Sequence, residues 1–87
     1  MTKQQEKKCN EVKNLYGTYI HHLTVGFFKQ MKMNQTPKRM AELDRTIAMM
    51  NEFMDKAFRA RTEKSRNKWR KRLFIVFNIT LPDDVFL

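Results

Sequence analysis

The segment spanning residues 40–57 constrains the fold more than any other part of the chain. Met40, Leu43, Ile47, Met50, Met54 and Ala57 follow three-four-three-four-three steps, a heptad seam of nearly three repeats. A helix puts residues so spaced on one face, and Phe53 and Phe58 flank that face. A seam of this kind needs a second apolar surface to bury it. With 87 residues the chain is one small domain, too short for a large buried active site, a Rossmann unit or a barrel.

The second surface is written into residues 5–33. Cys9, Val12, Tyr16, Tyr19, Ile20, Leu23, Phe27 and Met31 recur at steps of three and four, and Leu15 and Phe28 widen the stripe. Lys3, Lys7, Lys13, Lys29 and Lys32 fall largely off it. Gly17 and Gly26 each cost about 1 kcal/mol in a helix and mark a kink or the close approach of another backbone. Between the two stripes stands Asn34-Gln35-Thr36-Pro37. Thr36 is a good N-cap and Pro37 a good first helical residue, and Glu42 and Asp44 fall near the positive end of the helix that follows. A short connection between amphipathic helices predicts an antiparallel helical hairpin. The second stripe thins but keeps phase through Phe58, Thr62, Ser65 and Trp69, so the second helix is expected over 37–72, roughly 54 Å long.

Residues 73–81 change period. Every odd position of Leu73-Phe74-Ile75-Val76-Phe77-Asn78-Ile79-Thr80-Leu81 is large and apolar, which reads as a short strand ended by Pro82, with 82–87 as a tail. The expected fold is therefore mainly α: a hairpin with a long second helix and a short C-terminal β-strand or extended tail. A lone strand needs hydrogen bonds from a second copy or from a partner's sheet edge. The alternative is that tertiary context makes the segment helical. Met50, Met54, Leu73, Ile75, Phe77 and Ile79 are the candidate oligomer or partner interface.

Charge is where function enters. Lys and Arg number 18 against 9 Asp and Glu, a formal net charge of +9, and the pI is about 10.1. The excess is concentrated: residues 58–73 carry +7, residues 34–57 are neutral and residues 74–87 carry −2. Arg59, Arg61, Lys64, Arg66, Lys68, Arg70, Lys71 and Arg72 lie in that one segment with Trp69 among them. On a helix Arg61, Lys64, Lys68 and Arg72 form one stripe and Arg59, Arg66 and Arg70 another. Such an array can track phosphates with release of counterions, and Arg forks grip phosphate oxygens in pairs. Trp69 can stack on an unpaired base, and a short arginine-rich helix suits an RNA loop. The opposing reading is a solvated basic face with Trp69 plugging the apolar stripe. A membrane-surface role is disfavoured by the polar stripe of Thr62 and Ser65.

Enzymatic chemistry finds no support. Tyr16, Tyr19, His21 and His22 cluster without a carboxylate pair or a Gly-rich phosphate loop, and the two tyrosines fit the core stripe. The single cysteine, Cys9, excludes an internal disulfide and reads as a small buried hydrophobe, and with two histidines it cannot make a four-ligand zinc site from Cys and His alone. No cofactor is expected. The N-terminus lacks the apolar run of a signal peptide and the longest dense apolar run is far short of a span, so a cytoplasmic protein is expected.

In size, lysine-rich composition and lack of catalytic motifs the chain resembles small accessory proteins of T4-like phages. The resemblance implies binding to host or defence machinery. Two functions are therefore expected. The first is a non-enzymatic, oligomeric nucleic-acid-binding protein, RNA slightly favoured, contacting phosphates through residues 59–72. The second is an inhibitor or counter-defence protein that blocks a host enzyme or sequesters a nucleotide signal, its strand augmenting a partner's sheet.

Overall fold

Thr2 begins the first helix. Its hydroxyl accepts the Gln5 N–H at 3.2 Å while the Gln5 side chain accepts the Thr2 N–H at 3.1 Å, a reciprocal capping box. The structure, a computed structural model, describes residues 2–86. Three helices follow in order, α1 (Lys3–Gln30), α2 (Pro37–Phe58) and α3 (Glu63–Phe77), then a single 3-10 turn (Asp83–Phe86). The protein is mainly helical, and no strand occurs among the described residues. Leu87, the last residue of the expected tail, lies outside them.

α1 ends in a Schellman arrangement. Met33 N–H donates to the Phe28 carbonyl at 2.8 Å and Lys32 N–H to the Lys29 carbonyl at 3.1 Å, with Lys32 left-handed at φ 54°. Thr36 then caps α2, its hydroxyl accepting the Arg39 N–H at 3.2 Å, and Pro37 occupies the first turn. α1 and α2 lie side by side, with Lys13 bound to Asp55 at 3.0 Å and Gly17 opposite Ile47.

The expected second helix over 37–72 is two helices. α2 stops at Phe58, and Thr62 starts α3 by accepting the Ser65 N–H at 3.1 Å, with Glu63 at the positive end of the new dipole. The physical reason is burial. A straight helix would hold the chain after it away from the α2 seam. The reversal brings Leu73, Ile79, Leu81 and Val85 into the core, each stabilising by about 1.5–3 kcal/mol when fully buried. That outweighs the few helical hydrogen bonds lost over residues 59–62, at roughly 1 kcal/mol each.

The expected strand over 73–81 is replaced as well. Leu73-Phe74-Ile75-Val76-Phe77 completes α3, and Asn78 ends it in the left-handed region at φ 56°, a conformation Asn tolerates well. Beyond it the chain is extended and its alternation is real. Ile79 and Leu81 are buried while Thr80 and Pro82 are exposed. Tertiary partners hold this stretch without a sheet: the Tyr16 hydroxyl donates to the Thr80 carbonyl at 2.9 Å, and Arg70 donates to the Leu81 carbonyl at 3.3 Å.

The core joins all parts of the chain. Met50, Met54 and Ala57 of α2 meet Cys9 of α1, Leu73 of α3 and Ile79, Leu81 and Val85 of the C-terminal segment. Four proposed interface residues are thereby closed to any partner, since Met50, Met54 and Leu73 have no exposed surface and Ile79 almost none. Phe77 is half-buried against Phe53, and of the six only Ile75 stands in solvent. No helix among the described residues is long and apolar enough to cross a membrane.

Burial pushes the Cys9 thiol above its ordinary pKa; Lys13 and Arg59 oppose the rise and Asp55 adds to it. The folded thiol therefore holds its proton where the unfolded one loses it, so stability falls as pH rises through and beyond the ordinary thiol range. Alkylation of Cys9 by iodoacetamide is expected to be slow in the native protein and fast in urea. Equal rates in the two conditions contradict the burial.

Candidate nucleic-acid interface

The basic segment divides at the reversal. Arg59 and Arg61 lie in the connection between α2 and α3, and the remaining candidates lie on α3. Thr62 sets the register of α3 by capping it, and Leu73 fixes its orientation by burying one side. The stripe at steps of four, Lys64, Lys68 and Arg72, consequently points to solvent, with Lys71 beside it. All four are exposed. Among the described residues the ion pairs are Lys13–Asp55, Lys56–Glu52 and Arg70–Asp83, and none of these involves Lys64, Lys68, Lys71 or Arg72.

The second expected stripe turns the other way. Arg70 donates to the Asp83 carboxylate at 2.7 Å and to the Leu81 carbonyl, and its guanidinium lies 4.9 Å from the Phe86 ring centroid. Arg66 lies 5.1 Å from the same ring. Both therefore fasten the C-terminal segment onto α3 rather than facing a ligand. Planarity suits Arg to this joint, because one guanidinium can stack on an aromatic ring and still donate several hydrogen bonds. Arg66 and Arg59 also meet in a cleft of about 240 Å³ lined by Phe58 and Phe86. The buried Arg66 Nε makes no hydrogen bond among the described residues.

Trp69 is not the open platform expected of it. Its ring packs on Phe53 at 5.5 Å between centroids, while Lys56 Nζ and the Arg72 guanidinium each stand 4.6 Å from its centroid and Lys68 Nζ stands at 6.0 Å. These cation–π contacts are worth about 0.5–1 kcal/mol each at exposed sites. A base stacking there would have to displace one of them. What Trp69 does is gather charge: it holds Lys56 of α2 beside the cations of α3. Lys56 was outside the segment singled out by composition, and only the packing of α2 against α3 brings it in.

Elsewhere the chain offers less chemistry. His21 and His22 stack edge to face at 5.9 Å, and no group of three or more His, Cys, Asp or Glu side chains among the described residues could hold a metal ion. In comparisons with known proteins, no family model matches the chain, and no curated protein or solved structure matches it either.

The two sides of α3 make opposite demands on stability. Arg70→Ala is expected to destabilise the fold by about 1 kcal/mol, since it loses hydrogen bonds and ring packing while Asp83 remains solvated. Lys64→Ala is expected to stay within about 0.5 kcal/mol of wild type. Urea denaturation of the two variants checks this, and equal losses contradict the division.

Proposed function

We propose that the protein binds nucleic acid without catalysing a reaction, RNA slightly favoured over DNA, through the outward face of α3. The observation that carries this reading is the exposed set Lys64, Lys68, Lys71 and Arg72 on one helical face, without an ion-pair partner among the described residues. Arg59 and Arg61 extend the set around the start of α3, and Lys56, paired with Glu52, adjoins it at Trp69. The reading takes α1 and α2 as the arms of a hairpin that carries α3 and holds this face outward.

The physical basis is phosphate neutralisation. Each Lys or Arg that replaces a condensed counterion on the polymer releases it, so affinity depends steeply on salt. Spacing favours such contact, because side chains four residues apart on a helix stand about 6 Å apart along its axis, within the range of neighbouring phosphates on a flexible single strand. Lysine ammonium groups are mobile point charges and impose little base preference.

Binding to a labelled single-stranded RNA is expected to weaken as salt rises, with a log–log slope near −3 for about four neutralised phosphates. Changing Lys64, Lys68 and Lys71 together to Glu should abolish binding while leaving the helical spectrum intact. Changing Lys3, Lys7 and Lys38 to Glu, which alters net charge equally, should leave most of the affinity. Unchanged binding in the α3 variant, or equal loss in both, overturns the reading.

A further inference from the structure

Residues 14–28 carry no Lys, Arg, Asp or Glu, although 31% of the chain is charged. The whole stretch is helical and lies within α1. One side of it, with Tyr16 and Ile20, packs on the core. Another side does not: Leu15, Tyr19, Leu23 and Phe27, continued by Met31 at the helix cap, are 67%, 59%, 55%, 53% and 59% exposed. Residues repeating every four positions form a single ridge on a helix, here about 24 Å long.

Gly26 lies beside this ridge. A Cβ placed there would meet nothing within 4 Å, and no glycine in the described chain has a positive φ. Neither crowding nor backbone conformation within one copy calls for glycine at this position, and glycine weakens a helix. A notch next to an apolar ridge allows a second helix to approach closely.

We propose that the α1 ridge is the surface through which two copies of the protein associate, α1 against α1 about a twofold axis, with the partner's helix seated at Gly26. Charge points to a second copy. Each copy carries +9, so two copies repel wherever charged faces meet, and contact costs less on a stretch that carries no Lys, Arg, Asp or Glu, of which residues 14–28 are the longest. An acidic partner, by contrast, would find no cation on the ridge to pair with. Area fits as well. Five side chains more than half exposed offer roughly 100 Å² each, given about 150–250 Å² for a whole aromatic side chain, so the ridges of two copies bury on the order of 1,000 Å², the threshold for a specific interface. The same patch on both copies is what a twofold contact requires, and paired ridges of this type cross at about −50°. Association then rests on Leu23 and Phe27, not on the buried Met50 and Met54.

Sedimentation velocity of the full chain over a concentration series, in low and high salt, tests this independently of nucleic acid. The expected result is a reversible monomer–dimer equilibrium that tightens with salt, because screening relieves the repulsion. Leu23→Lys puts a charge on the ridge, and Gly26→Leu fills the notch at a position where an added Cβ meets nothing within 4 Å in one copy. Each is expected to weaken the dimer about tenfold or more, with helicity retained by circular dichroism. Should Leu23→Lys lose helicity, Gly26→Leu decides alone. A wild-type chain that stays monomeric throughout overturns the proposal and leaves the ridge to a different partner. A dimer equally tight in the variants overturns it too, since another face then holds the copies.

Discussion

Everything in this protein leans on the seam of α2. Met50, Met54 and Ala57 are fully buried because α2 is covered from two directions, by α1 on one side and by α3 on another. An amphipathic helix has too little apolar surface to hold two neighbours unless its stripe is wide, and Ile47, Phe53 and Phe58 widen this one. Methionine suits the centre of such a junction, since its unbranched thioether adapts to neighbours arriving at different angles. Once α3 is committed to the seam through Leu73, its opposite side is committed to water. The position of the cationic face follows from the packing of the core.

That commitment separates the basic residues by chemistry. Arg66 and Arg70 serve the joint with the C-terminal segment, where a planar group can stack on Phe86 and donate to Asp83 and the Leu81 carbonyl. The outward face is mostly lysine, with Arg72 resting on Trp69. A lysine face attracts polyanions over distance and reads little sequence. Pairing of two copies through the uncharged ridge of α1 would double the cationic faces without bringing like charges together.

The helices of the seam and the first stripe were legible because apolar spacing and the Thr36–Pro37 cap state them directly. The break at Thr62 was not. Phe58, Thr62, Ser65 and Trp69 stay in phase across it, so periodicity alone continues the helix, and only the burial gained by residues far along the chain favours the reversal. In residues 73–81 the period-two pattern combined two different structures. Leu73 and Phe77 are four apart on a helix, while Ile79 and Leu81 alternate with exposed neighbours in an extended stretch. The site was legible as a segment but not as a face: composition treats Arg70 and Lys71 alike, and the position of Asp83 and Phe86 separates them. Tyr19, Leu23 and Phe27 were assigned to the core for a related reason, since a 3.6-residue period marks an apolar face without saying whether anything covers it.

The division of α3 into a fastening side and a binding side is the central claim, and side-chain NMR of the full chain titrated with a single-stranded RNA tests it most directly. The account predicts that the ammonium and guanidinium resonances of Lys64, Lys68, Lys71 and Arg72 move progressively while those of Arg70 hold their place beside Asp83. Largest changes at Arg70, or changes spread evenly over all the basic residues of the chain, would contradict it.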